Sequence, residues 1–281
     1  GEVPFHVAVF LHQLLGRTDL SLGYARAAAA EVVLESEARG VNGLSVEEIR
    51  AQVVRRLGCE ESDLPEAREL VGSSVAREAD GRWFSPTLYH HRQRALAILR
   101  GNQAEEDDAS DPRIREVLSS RYSFVTGPPG SGKTHLVRAL AEYCDAQGWR
   151  VAVTALSGQA ASLYGERGQT LHRLLGYGGK GFSVSELRYD VVTVDEISMI
   201  TWPILARLLV VSRGRIVFVG DPEQIRPVGS VSVMAELLAC LPVVVLPPFL
   251  AYSGADAVPI HEVHCVSPAQ VVTQVRERVA A

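Results

Sequence analysis

Along the chain the apolar residues change their period, and the change divides the sequence in two. Between residues 20 and 75 they recur every three or four positions, the spacing of a helix face. Ala27, Ala30, Leu34 and Ala38 predict one helix. Val46, Ile49, Val53 and Leu57 predict a second, opened by Ser45 and Glu48 at capping-box spacing. Leu64, Ala67, Leu70 and Val75 predict a third. In the run from Ala76 to Phe84, Asp80-Gly81 is a two-residue hairpin signal. A further helix is expected over 87–100, ending at Gly101.

From residue 121 continuous apolar runs alternate with helical stretches. Tyr122–Thr126, Arg150–Thr154, Val191–Val194, Ile216–Val219 and Val243–Leu246 read as strands, and 133–147 as a helix. Unbroken Val/Ile strands between helices imply a parallel sheet covered on both faces, an α/β class. The tail at 258–280 offers one strand and one helix, the latter with Ser267 as cap and Pro268 at its first position. Between the two halves, Glu105, Glu106, Asp107 and Asp108 form an acidic block of the kind found in solvated linkers. The expected organisation is a helical amino-terminal domain at 1–101, an acidic linker at 102–112 and an α/β lobe at 113–281. Helices followed by a hairpin make the first domain winged-helix-like.

Charge narrows the functions available. The net charge is −5, which argues against coating nucleic acid by bulk charge and leaves a local groove open. Residues 1–100 carry 14 acidic and 12 basic side chains. Their domain reads either as a DNA-docking unit using Arg50, Arg55 and Arg56 or as a scaffold for protein contact, and the charge balance favours the scaffold. Cys59, Cys144, Cys240 and Cys265 are scattered without a C-x-x-C pair, as reduced thiols in a cytoplasmic protein would be. His261, His264 and Cys265 fit a metal site less well than a strand with alternating side chains. No membrane partner is expected, since the longest apolar stretch, near 241–252, is broken by Pro242, Pro247 and Pro248. The chain opens on Gly1 rather than Met, so trimming of a longer product is expected.

The strongest chemical signal is Gly127-Pro128-Pro129-Gly130-Ser131-Gly132-Lys133-Thr134, a phosphate loop placed between a strand and a helix. Lys133 is one of only two lysines, the other being Lys180, in a chain whose remaining basic residues are arginine. A lysine there sets a compact ammonium against β- and γ-phosphates while backbone N–H groups wrap the anion. With His135 beginning the helix, 127–135 are the candidate nucleotide-binding residues. The strand Val191–Val194 runs into Asp195-Glu196. Asp195 and the Thr134 hydroxyl are candidates to hold Mg²⁺, and Glu196 to orient or deprotonate a water. The strand Ile216–Val219 leads to Gly220-Asp221-Pro222-Glu223-Gln224, where Gln224 is placed to sense the γ-phosphate. Lys133, Glu196 and Gln224 are the candidate catalytic set, and ATP and Mg²⁺ the expected cofactors.

Five runs in order resemble the first motor lobe of a superfamily 1 DNA helicase of the RecD type. They are the loop at 127–134, Thr154 to Ala161, Thr170-Leu171-His172-Arg173-Leu174-Leu175, Asp195-Glu196-Ile197-Ser198-Met199, and Gly220 to Gly229. The resemblance covers roughly 121–246 and, more weakly, 20–100. It implies a RecA-like P-loop NTPase lobe, and contacts to single-stranded DNA from Thr154, Ser157, Gly158, Gln159, Thr170 and His172. The departures matter too. No adenine-reading glutamine precedes the loop at the expected distance, Gln159 replaces a basic residue, and Pro247-Pro248-Phe249-Leu250 stands where a phosphate-contacting arginine is usual. The family's second motor lobe is not represented in the resemblance. The expectation is an ATP-binding lobe that hydrolyses weakly alone and needs a second lobe or protein partner. The alternatives are a non-motor nucleotide switch that recruits a protein, and a DNA-binding module with a vestigial loop.

Overall fold

The computed structural model describes residues 22–39, 41, 43–72, 76–105, 107–179, 181–222, 233–247 and 265–266. Two compact units divide between Gln93 and Arg94, inside one helix.

In the first unit, α1 (Leu22–Ala38), α2 (Val46–Leu57) and α3 (Ala67–Leu70) precede a hairpin of β1 (Arg77–Ala79) and β2 (Arg82–Phe84), and α4 (Pro86–Arg100) begins. The capping box forms as its spacing requires. Ser45 N donates to Glu48 Oε2 at 2.7 Å, and Glu48 N donates to Ser45 Oγ at 3.2 Å. Asp80 and Gly81 turn the hairpin at φ 53° and 73°, the double left-handed geometry of the tight turn. Leu44 exchanges both backbone hydrogen bonds with Trp83, at 3.0 and 2.8 Å.

The buried stripe of α1 is not the one its sequence suggests. Ala25, Ala28, Ala29, Val32, Val33 and Ser36 face the core, whereas Leu34 is 56% exposed and Ala38 lies on the surface. In a run of alanines two faces share the helical period. The pair Val32-Val33 buries more apolar area than Leu34 and decides the rotation.

Arg50 and Arg56 are engaged inside this unit. Arg50 donates to Glu61 Oε1 (3.2 Å) and the Pro65 carbonyl (2.7 Å), and Arg56 to Glu31 (2.7 Å) and Glu35 (2.6 Å). Arg55, by contrast, is exposed and donates only to the Ala51 carbonyl at 3.3 Å.

The second unit continues with α5 (Pro112–Leu118), β3 (Tyr122–Thr126), α6 (Lys133–Ala146), β4 (Val151–Ala155), α7 (Gly158–Ser162), β5 (Gly168–Thr170), α8 (Leu171–Leu174), β6 (Tyr177–Gly178), β7 (Gly181–Phe182), β8 (Val191–Asp195), α9 (Trp202–Val211), β9 (Arg215–Val219), α10 (Val233–Cys240), β10 (Val243–Val245) and β11 (Cys265–Val266). The main sheet runs β11-β10-β3-β9-β8-β4-β5, parallel throughout except for β11. All of β3 is buried, so the sheet is covered on both faces. On one face Leu136, Val137, Leu140 and Cys144 of α6 join Ile114, Val117 and Leu118 of α5 over Val125, Val153, Val217 and Val244. Full burial of such side chains contributes about 1.5–3 kcal/mol each. On the other face a Cβ on Gly220 would stand 3.0 Å from Met234 Sδ of α10 and 3.5 Å from the Phe124 ring.

The acidic stretch after α4 lies against this unit rather than standing in solvent. Glu105 N donates to Ser119 O (2.7 Å), Glu105 pairs with Arg215 (2.7 Å), and Tyr143 OH donates to Asp107 (3.0 Å). Asp111 then caps α5 ahead of Pro112. Glu105, Asp107 and Asp111 thus have specific partners, whereas Asp108 is exposed.

Burial in α6 pushes the Cys144 thiol up to about 12. At pH 8 its thiolate fraction is on the order of 10⁻⁴. Cys144 is expected to stay unmodified by iodoacetamide in the native protein and to react once the chain is denatured, as read by peptide mass spectrometry.

Candidate nucleotide and nucleic-acid site

Because the strands are parallel, their carboxyl ends share one edge. The loops after β3, β4, β8 and β9 open there, where ligands of such sheets bind.

The loop after β3 is shaped by its glycines. A Cβ on Gly127 would stand 2.6 Å from Ser131 Oγ and 2.7 Å from the Leu246 carbonyl. Gly132 caps α6 at φ 88°, a left-handed conformation that other residues adopt only at a cost. Pro129, Gly130 and His135 are exposed, and Pro128, Ser131, Gly132, Lys133 and Thr134 are half-buried. Lys133 Nζ donates to the carbonyls of Gly127 (2.5 Å) and Pro128 (3.0 Å). Burial pushes its pKa down, and the carboxylates of Asp221 and Asp195 push it back up. The Ser131 hydroxyl is buried with no hydrogen-bond partner, an orphaned polar atom inside the cradle. Donors, an ammonium and an unsatisfied hydroxyl around a helix N-terminus fit a phosphate chain.

At the end of β8, Glu196 adopts φ 58°, and its N–H donates to Asp195 Oδ1 at 2.8 Å. Asp195 Oδ2 accepts from Tyr164 OH at 2.5 Å, and Glu196 Oε2 accepts from Ser157 Oγ at 2.6 Å. Ser157 also caps α7, accepting from Ala160 N at 3.1 Å. The Thr134 hydroxyl and the Asp195 carboxylate are hard oxygen donors, a set that fits Mg²⁺ better than a thiophilic metal. Among the described residues no group of three or more His, Cys, Asp or Glu gathers as another metal site.

Two members of the edge have no role assigned from the sequence. Asp221 follows Gly220 and is buried at 4% exposure, within the field of Lys133. Tyr164 has no motif to mark it; it reaches Asp195 only because the chain after α7 folds back along α6. Gln224 lies outside the described residues, as do Lys180, His261 and His264, and the helix expected after Ser267.

The residues expected to touch DNA separate by exposure. Gly158 and Gln159 are exposed at the start of α7, and Thr170 caps α8, accepting from Arg173 N at 3.2 Å. His172 stacks edge-on against Tyr177 at 5.2 Å, and Tyr177, 60% exposed, meets Phe182 at 5.0 Å. Thr154 is a correction. It is fully buried in β4, and its hydroxyl donates to the Thr193 carbonyl at 2.6 Å, so it has no surface to offer a strand of DNA. It sits inside β4, one residue short of the strand's end.

A six-stranded parallel sheet with this loop and these carboxylates defines a P-loop NTPase lobe. The AAA domain family matches residues 111–246. The ATP-dependent RecD2 DNA helicase of Deinococcus radiodurans is 28% identical over 206 residues, 63% of this chain and 29% of its own length. The RecBCD enzyme subunit RecD of Mycolicibacterium smegmatis is 35% identical over 178 residues, 51% of this chain and 32% of its own. The solved Pif1 helicase of Candida albicans aligns at 25% identity over 51% of this chain and 41% of that one, with a TM-score of 0.39, too loosely to add weight. About half of the chain is thus similar in sequence to RecD helicases, as a helicase-like P-loop ATPase domain. The chain spans about a third or less of the length of these two curated relatives. No helix among the described residues is long and apolar enough to cross a membrane.

Proposed function

We propose that the second unit binds Mg²⁺–ATP at the loop after β3 and couples it to single-stranded DNA as the first motor lobe of a RecD-like helicase. The observation that carries this reading is the convergence at one sheet edge of Lys133, the unsatisfied Ser131 hydroxyl, Asp195 and Glu196.

In this reading Lys133 leaves the loop carbonyls and takes the β- and γ-phosphates, while the N–H groups of 130–135 hold the rest of the anion. Thr134 and Asp195 would hold Mg²⁺, which would supply charge neutralisation of the phosphates. Glu196 orients the attacking water and receives its proton. Ser157 joins that carboxylate to α7, whose exposed Gly158 and Gln159 lie in the DNA run. Thr170, His172 and the exposed Tyr177 continue the same surface.

The motor reading includes a second lobe or protein partner, supplying an arginine for the γ-phosphate. Loss of such an arginine lowers turnover by roughly 10³–10⁵, so hydrolysis by this chain alone is expected to be slow. The test is titration calorimetry with ATP and Mg²⁺, followed by ATPase rates with and without single-stranded DNA. No ATP binding sinks the reading.

Tyr177→Ala is expected to weaken single-stranded DNA binding by about 1–3 kcal/mol, the range for losing one stacked base. Fluorescence anisotropy with a labelled oligonucleotide checks it, and an unchanged affinity takes the aromatic rim out of the interface. A second reading, a nucleotide switch recruiting a protein, draws support from the internally paired Arg50 and Arg56 of the first unit. ATPase stimulation by a protein partner without any by DNA would favour it.

A further inference from the structure

We propose that Tyr164 is a positioning residue of the magnesium site, its phenol orienting Asp195 for the cation. The inference rests on the nucleotide-site reading above and extends it to a residue outside every motif.

The geometry is specific. Tyr164 OH has one proton, and it is given to Asp195 Oδ2 at 2.5 Å. Asp195 Oδ1 is held by the Glu196 N–H at 2.8 Å. Both oxygens are thereby fixed in direction, and each keeps a lone pair for a cation or its water. The phenol thus holds the orientation of one candidate metal ligand from a different loop.

Tyr164 is well held. It is 8% exposed. Arg138 of α6 donates to the carbonyl of Leu163 on one side, and Arg167 pairs with Asp145 of α6 at 2.6 Å on the other. These ties attach the segment that carries the phenol to the helix that begins with Lys133 and Thr134. Outer partners of metal ligands act in this way, by fixing orientation, and their loss typically lowers metal affinity about 10- to 100-fold.

The test is Tyr164→Phe, which removes the hydroxyl and keeps the ring. Binding of a fluorescent ATP analogue is measured while Mg²⁺ is titrated, and again in EDTA. Manganese EPR reports the metal directly. The expected result is a Mg²⁺ midpoint raised about 10- to 100-fold with metal-free nucleotide affinity unchanged. Arg138→Lys, which loosens the tie to the Leu163 carbonyl while keeping the positive charge near the phenol, is expected to move the midpoint the same way by a smaller factor, and it serves if the phenylalanine variant does not fold. An unchanged midpoint overturns the assignment. A lowered midpoint also overturns it, because the hydroxyl would then compete with the cation. A wild-type chain that binds no Mg²⁺–ATP at all sinks the nucleotide-site reading itself, a result distinct from either.

Discussion

Lys133→Ala is expected to weaken ATP binding by roughly 30- to 3,000-fold, since truncating one partner of a buried, hydrogen-bonded charge pair costs about 2–5 kcal/mol and each 1.4 kcal/mol is tenfold. Two features of the structure set that size. The ammonium already sits in the loop, donating to Gly127 O at 2.5 Å and Pro128 O at 3.0 Å, so binding exchanges carbonyl acceptors for phosphate oxygens with a small movement. The site also holds Asp195 and Asp221, whose negative charge repels a polyphosphate. Without the ammonium that repulsion has no counterweight in the loop. Lys133→Arg is expected to recover little, because a planar fork does not fit where a point charge is wrapped by backbone. Titration calorimetry measures the effect, and circular dichroism separates it from unfolding. An alanine variant that folds and binds ATP as the wild type does removes Lys133 from the site.

The parts of this site legible in the sequence are those where chemistry requires adjacent residues. A phosphate loop needs glycine, lysine and threonine in fixed order because they surround one anion. Likewise Asp80-Gly81 makes a turn whose backbone only a few residue types accept, and both positions adopt the left-handed geometry. Strand positions were legible for a similar reason, since burial on both faces leaves unbroken Val and Ile runs.

What escaped depends on contacts distant in sequence. Tyr164 and Asp195 are 31 positions apart, and no periodicity relates them. Asp221 was in view as part of a motif, yet its burial beside Lys133 follows from how β9 and β3 pair. α9 went unread because it is apolar almost all round, with Trp202, Leu205, Leu208 and Leu209 all buried, and a helix without a polar face lacks the stripe that identifies one. β5, Gly168–Thr170, is a three-residue edge strand with no alternation to find. The α1 rotation failed on a choice between two equivalent stripes that only packing could make.

Glu196→Gln is expected to leave ATP affinity unchanged and to lower turnover about 10²- to 10⁴-fold, the contribution of a positioned general base. The amide keeps the side chain's size, and its oxygen can still accept the Ser157 hydroxyl that now bonds Oε2 at 2.6 Å. The left-handed backbone at φ 58° is no harder for glutamine than for glutamate. What is lost is the capacity to take a proton from water, so the change isolates chemistry from binding. Single-turnover assays with labelled ATP make the measurement possible even when the lobe alone is slow. The result also separates the competing functions. A motor lobe must hydrolyse to reset, so its residual turnover should collapse in the glutamine variant. A switch that cycles only by nucleotide exchange would bind ATP in both forms and show no Glu196-dependent turnover in either. If the wild type hydrolyses ATP and the variant matches it, the base lies elsewhere, and the Ser157 link between Glu196 and α7 has no part in coupling DNA to hydrolysis.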